Sequence, residues 1–201
     1  FSAGRQMNSH FATPFYDENG EWLDLKNRKN VSSGISCTGG QMARALGLAL
    51  ASKQYRSNDL LQNTKFSNNG NEVTFATIGD ASTSEGIFWE TMNAAAVTQV
   101  PLAVSVWDDG YGISVPIKYQ TVNESISQAL SGFVSDDENQ GLDIYVLKAW
   151  DYPTLVTAYQ TGIEKTRQSH KPALFHVKEC TQPQGHSTSG SHERYKSKER
   201  L

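Results

Sequence analysis

Two short apolar runs, Val73-Thr74-Phe75-Ala76-Thr77-Ile78 and Leu102-Ala103-Val104-Ser105-Val106-Trp107, flank a stretch where Ile87, Phe88, Met92, Ala95 and Ala96 recur at helical spacing. The pattern predicts a buried strand, an amphipathic helix over 84–97 and a second strand. The first run stops at Gly79-Asp80; the second is introduced by Pro101 and stops at Asp108-Asp109. Ser82 and Glu85 have the spacing of a capping box, which predicts that the helix opens there. Ile144-Tyr145-Val146-Leu147 and Ala173-Leu174-Phe175-His176-Val177 read as two more buried strands, with a helix over 153–169 between them. A further helix over 39–55 carries Gly39, Gly40, Ala43, Ala45, Gly47, Ala49 and Ala51, small residues suited to close packing, with Gln41 open to either packing or ligand contact. Strands alternating with helices predict an α/β domain, a mostly parallel sheet flanked by helices, spanning 1–201 as one unit.

The connections are legible in the same way. Tyr16-Asp17-Glu18-Asn19-Gly20-Glu21-Trp22 reads as a hairpin turn around Asn19-Gly20. Its acidic residues resemble a calcium loop, but the twelfth position is Arg28 where a glutamate is required, so calcium is rejected. Residues 57–71 form a surface connection, 118–141 hold one short helix near 124–131, and 181–201 form a polar tail expected to be mobile.

The two acidic turns carry the candidate chemistry. Between Ala81 and Asp108 lie 26 residues, about what a helix and return strand of a βαβ unit require. Such a crossover brings both turns to the carboxyl edge of a parallel sheet, where open α/β folds bind ligands. Magnesium is typically held by one or two protein carboxylates together with phosphate oxygens, and backbone amides over Ala81–Ser84 would face an anion. The implied site is a diphosphate bound through a metal. Each piece also has a purely structural reading: Asp80 favouring a helix start, Ser82 capping it, Asp108-Asp109-Gly110 as a solvated turn.

The segment from Gly79 to Pro116 resembles the thiamine-diphosphate motif of 2-oxo acid dehydrogenases, in the alpha part of their first, decarboxylating component. That motif begins Gly-Asp-Gly and ends Asn-Asn; here the positions read Gly79-Asp80-Ala81 and Asp108-Asp109. Further similarity runs in the family's order: Gly4-Arg5-Gln6-Met7 with His10, Gly40-Gln41-Met42, Gly110-Tyr111-Gly112-Ile113-Ser114 with Pro116, and Gly185-His186-Ser187-Thr188-Ser189 with Tyr195. Gln6-Met7 and the His186 to Ser189 stretch are most similar to branched-chain, 2-oxoisovalerate dehydrogenases. The resemblance implies the thiamine-diphosphate-binding fold and a piece of a longer protein, cut at both ends.

Carried over position by position, the resemblance implies that Asp80, the Asp109 side chain and the Tyr111 carbonyl ligate magnesium. Ala81 and Ser82 would give amides to the diphosphate, and Ser36 and Thr38 would hold the aminopyrimidine. His186, the one residue assigned a catalytic role, would reach the cofactor phosphates and the route of the lipoyl arm; an exposed polar loop residue is its structural alternative. Ser187 stands where animal relatives are phosphorylated. The implied activity is decarboxylation of a 2-oxo acid, branched-chain or pyruvate, with the acyl group passed to a lipoyl acyltransferase. The pyrimidine-activating glutamate belongs to a beta part, separate or fused, in a dimer or heterotetramer. Three departures stand out: Ala81 for glycine, Asp109 for the common asparagine, and Trp107 where branched-chain relatives carry a basic residue.

Two other classes fit the residues: a magnesium-dependent phosphatase or phosphoacceptor domain, and a non-catalytic assembly module. The first needs a lysine near its aspartates, and none follows either acidic turn closely in sequence. A net charge of −3 gives no basic field for nucleic acid, and no run is apolar enough for a membrane. Cys37 and Cys180 lack metal-site or CxxC spacing and read as reduced thiols, consistent with an expected cytoplasmic address.

Overall fold

The computed structural model describes residues 10–137, 140–181 and 191–200. Four parallel strands form the sheet: β1 (Thr74–Gly79), β2 (Leu102–Trp107), β5 (Asp143–Lys148) and β6 (Ala173–Lys178), in the spatial order β1-β2-β6-β5. A two-residue antiparallel pair, β3 (Tyr111–Gly112) and β4 (Val115–Pro116), comes directly after β2. Helices α1 (Gln41–Ser57), α2 (Gly86–Thr98), α3 (Ile126–Ala129) and α4 (Tyr152–Ser169) complete the domain. The expected α/β class, a parallel sheet between helices, is what the chain forms.

Two apolar layers hold the sheet. On one face Ala76, Ile78, Leu102, Val104, Val106 and Leu174 meet Met42, Ala45 and Ala49 of α1 and Phe88, Met92 and Ala95 of α2. On the other, Ala103, Phe175 and Val177 meet Leu155, Ala158, Tyr159 and Ile163 of α4. Both faces of β2 and β6 are buried, which is why their sequences are nearly continuous apolar runs rather than alternating ones. Of the small residues on α1, Ala45 and Ala49 make the packed face, whereas Ala43, Gly47 and Ala51 point outward. Gln41 resolves as a tie: its Nε2 donates to Thr77 O at 3.0 Å, fastening the start of α1 to the end of β1.

Local chemistry sets the helix ends. The Asp151 side chain accepts from the Thr154 amide at 3.2 Å and Pro153 sits in the first turn of α4, a standard N-terminal arrangement. The capping box read at Ser82 and Glu85 does not form. Residues Ala81–Ser84 instead wind a separate 3₁₀ turn, α2 starts at Gly86, and Glu85 precedes it without a side-chain cap. The tighter turn uses Thr83 Oγ1 and the Thr83 amide, both bonded to Asp80 O, at 2.6 and 3.1 Å. The Asn19-Gly20 turn closes a single bridge between Tyr16 and Trp22 rather than paired strands, with Gly20 at φ +81°. The helix expected near 124–131 shortens to α3, because Asn123 and Glu124 take positive φ and the Ser125 side chain caps the first turn only from Ile126 onward.

Candidate functional site

The parallel ladder fixes the acidic turns. Gly79 lies opposite Trp107, and Trp107 opposite Val177, so β1, β2 and β6 end at one edge. The Asp80 amide donates to Trp107 O at 3.1 Å, the Asp108 amide to Val177 O at 2.9 Å and the Cys180 amide to Asp108 O at 3.0 Å. Sheet hydrogen bonding therefore continues one residue past the strands and anchors the backbone of both aspartates.

Asp80 is 5 % exposed, and no donor reaches its Oδ2. Burial, then the negative charges of Asp108 and Asp109, push its pKa up to about 7; the Ala81 amide acts the other way, and a proton shared with Asp108 adds to the rise. A buried carboxyl oxygen without a partner is costly, and here two further carboxylates stand against it. Burial alone would raise Asp108 too, but a hydrogen bond from His176, its electrostatic attraction and the Gly110 amide hold Asp108 below the ordinary carboxylate value. The same three aspartates raise the Cys180 thiol, whose largest perturbation is burial, so the negative field converges on one corner of the edge.

Asp109 sits on the next residue of the turn. Its Oδ1 accepts from the Tyr111 amide at 3.2 Å, and Lys196 Nζ stands 3.8 Å from its Oδ2. The register of the β3–β4 pair orients Tyr111: Gly110 O accepts from the Ile117 amide at 3.0 Å, and Gly112 lies opposite Val115. Alternation then turns the Tyr111 N–H and C=O away from β4, toward the side where Asp109 receives that N–H. Asp80, Asp109 and the Tyr111 backbone are thus on one corner. No group of three His, Cys, Asp or Glu side chains among the described residues is arranged as a metal cage. Two carboxylates and one carbonyl are the donor set that magnesium takes when phosphate oxygens supply the rest.

Ala81 and Ser82 lie in the 3₁₀ turn beside Asp80. Ala81 is not among the residues at positive φ, so its methyl costs no backbone strain. The methyl faces Gly112, where an added Cβ would come within 2.7 Å of Ala81 Cβ. Ser36 and Thr38 are exposed in the segment leading into α1, with Ser36 Oγ hydrogen-bonded to His10 Nε2. That segment lies at the same edge: Gly39, at φ +72°, packs against Ile87 and Glu85 just beyond the 3₁₀ turn. Trp107 turns its indole N–H to Ser105 Oγ at 2.9 Å and is otherwise half exposed. His186 and Ser187 lie outside the described residues, as does Gly4-Arg5-Gln6-Met7.

Three residues of this corner are not apparent from the sequence. His176, wholly buried on β6, bonds Asp108 Oδ2 through Nε2 at 2.8 Å and Ser127 Oγ through Nδ1 at 2.9 Å. A histidine inside an otherwise apolar strand was the available signal. Lys196, also buried, reaches Asp109 from the far end of the chain and lies 5.3 Å from the Tyr111 ring, which Tyr195 meets at 5.9 Å. Nothing in the local sequence of residues 191–200 marks that contact. Lys196 is the lysine that the phosphatase reading lacked, but it lies in a bend between two short 3₁₀ turns, outside the sheet.

A family model described as "Dehydrogenase E1 component" matches residues 16–201. The 2-oxoisovalerate dehydrogenase subunit alpha of Bacillus subtilis is 28% identical over 178 residues, 87% of this chain and 43% of that protein. The pyruvate dehydrogenase E1 component subunit alpha of Acholeplasma laidlawii is 29% identical over 154 residues, 70% of this chain and 41% of that protein. The chain therefore spans less than half the length of these curated relatives. Among solved structures, a transketolase from Campylobacter jejuni superposes with a TM-score of 0.53 at 19% identity, over 72% of this chain and 20% of that one. That likeness concerns the fold alone.

Proposed function

The chain belongs to the dehydrogenase E1 component family, and from that premise we propose that it is the magnesium- and diphosphate-binding half of a thiamine-diphosphate-dependent 2-oxo acid dehydrogenase. One observation carries the reading: Asp80 is buried with a carboxyl oxygen that no donor meets, beside Asp108 and Asp109 on the neighbouring strand end. Burying a carboxylate against two others is unfavourable in the protein alone and becomes favourable with a divalent cation at the same corner. The residues present therefore fit the group.

In this reading Asp80, Asp109 and the Tyr111 carbonyl hold magnesium, and the Ala81 and Ser82 amides face the diphosphate. Ser36 and Thr38 hold the aminopyrimidine from the loop before α1, while His186 serves the phosphates and the lipoyl route. When bound, thiamine diphosphate supplies the electron sink that lets a 2-oxo acid lose carbon dioxide. This chain contributes position and field: β1 and β2 set the carboxylates, and Asp80 would hold the metal in its ionised form, the form its burial disfavours in the protein alone. The relatives' names include both a 2-oxoisovalerate and a pyruvate dehydrogenase. The branched-chain wording around Ser187 favours the former as substrate. A beta part supplies the activating glutamate, a lipoyl acyltransferase takes the acyl group, the assembly is a dimer or heterotetramer, and its address is cytoplasmic.

The test is an equilibrium titration of the protein with thiamine diphosphate, with and without magnesium, and then decarboxylation of pyruvate, 2-oxoisovalerate and 2-oxoglutarate with an artificial electron acceptor. Saturable binding that needs the metal, and turnover of one of these acids in the presence of the beta part, is expected. Metal-independent binding, or none, refutes the reading.

A further inference from the structure

Asp108 presents a problem for a metal site at this corner. It is a second buried carboxylate beside Asp80, and left to itself it would compete with Asp80 and the half-buried Asp109 for the cation. Both of its oxygens are instead engaged. Oδ1 accepts from the Gly110 amide at 2.9 Å, and Oδ2 meets His176 Nε2 at 2.8 Å. A carboxylate only accepts, so the imidazole directs an Nε2–H at it. The other ring nitrogen is fixed by Ser127, whose Oγ lies 2.9 Å and whose amide lies 3.4 Å from Nδ1. Ser127 in turn is held by Ser125 Oγ at 3.2 Å. The ring is wholly buried on β6, and the chain Ser125–Ser127–His176–Asp108 runs from α3 to the turn that carries Asp109 and Tyr111.

The geometry points to His176 as a positioning residue of the metal site: with Ser127 behind it, it holds Asp108 in the outer shell, leaving the cation to Asp80 and Asp109. This inference rests on the proposed magnesium–diphosphate reading. Outer-shell partners orient the groups that bind a metal, and losing one typically costs about tenfold to a hundredfold in metal affinity. Without His176, Asp108 Oδ2 loses its donor and can turn to the cation, and the side chain that holds the Gly110 amide is no longer fixed, so Asp109 and the Tyr111 carbonyl no longer meet the ion together.

The test uses manganese as the probe, its affinity read by electron paramagnetic resonance on the protein saturated with thiamine diphosphate, with circular dichroism as the check on folding. His176→Gln keeps an amide N–H near the Nε2 position; His176→Asn does not. About tenfold or greater weakening in His176→Asn, with His176→Gln within about threefold of the unaltered protein, is expected from the size of outer-shell effects. Asp108→Asn removes the competing charge, so adding His176→Asn to it should change manganese affinity by less than about threefold, a non-additivity that a merely structural role would not produce. This pair also decides the matter should His176→Asn alone fail to fold. Manganese affinity unchanged in His176→Asn, equal losses in Gln and Asn variants, or a full further loss in the Asp108→Asn background each overturns the inference. If the unaltered protein binds no manganese with thiamine diphosphate, it is the underlying functional reading that fails.

Discussion

Without a metal, Asp80 should destabilise the protein increasingly as pH rises above the ordinary carboxyl range. Its pKa stands at about 7 in the folded chain against an ordinary 3.8. Between those values the folded state holds a proton that the unfolded state has released, so stability falls as pH rises through that window and the loss is complete above about 7. Roughly three units at about 1.4 kcal/mol each set a ceiling near 4 kcal/mol, and Asp108, held below its ordinary value in the same cluster, recovers part of it. Asp80→Asn keeps the shape and removes the charge. In EDTA at pH 8 the variant should therefore be more stable than the unaltered protein by about 2–4 kcal/mol, a rise of about 5–10 °C in Tm for a domain of this size. At pH 4, where the carboxyl is protonated in the folded state, the two should agree within about 1 kcal/mol. Adding magnesium with thiamine diphosphate should reverse the order at pH 8, because only the unaltered protein gains binding energy. Parallel stability profiles for the two proteins between pH 4 and pH 8 would refute the account of Asp80 as a strained carboxyl waiting for a cation.

Asp109→Ala should abolish magnesium-dependent retention of thiamine diphosphate in gel filtration while circular dichroism shows the fold kept, since the β1, β2 and β6 ladder that positions the turn does not use its side chain. Gly112→Ala would set a Cβ 2.7 Å from that of Ala81 and 2.9 Å from the Gln120 amide, forcing the 3₁₀ turn away from β3. Cofactor retention should fall, and Ala81→Gly in the same chain should restore part of it, a coupling of about 1 kcal/mol readable in a double-mutant cycle. Gly162→Ala would drive a methyl to within 2.7 Å of Phe175 and 2.9 Å of Tyr145, rings stacked at 4.9 Å of which Phe175 is wholly buried. Overpacking should outweigh the helix-propensity gain and cost about 1–2 kcal/mol in urea unfolding, with cofactor binding unchanged.

The fold was legible because both faces of the sheet are covered. Continuous apolar runs at 102–107 and 173–177 admit only buried strands when turn residues bound them, and a crossover of that length admits only a parallel neighbour. Boundaries failed where a short polar side chain had two uses. Ser82 and Glu85 spell a capping box, but Thr83 bonds back to Asp80 O and commits the chain to a 3₁₀ turn first. Near 124–131, helical spacing was present, yet Asn123 and Glu124 take positive φ, which no periodicity records. Of the candidate site, the strand ends were enough to bring the acidic turns at Asp80 and Asp108-Asp109 to one edge, whereas Tyr111 came only from the family resemblance. Lys196 and Ser127 were invisible, because each arrives from a segment whose own pattern says nothing about β2.

The two aspartates at the end of β2 are matched one for one by partners from elsewhere in the fold. Asparagine at both positions would leave the corner with the single charge of Asp80; aspartate at both adds two. Three unscreened carboxylates in a largely buried turn would be expected to open the turn to water or to drift apart. Instead Asp108 is 5 % exposed with His176 at 2.8 Å, and Asp109 is half-buried with Lys196 at 3.8 Å. Asp80 keeps one carboxyl oxygen, Oδ2, buried with no partner, a cost that neither the Ala81 amide nor Asp108 removes. Asp108 and Asp109 each meet a basic side chain, and Asp80 Oδ2 is the carboxyl oxygen of the three residues that is buried with no partner, so the deficit of positive charge falls on Asp80, where the proposed cation would supply it.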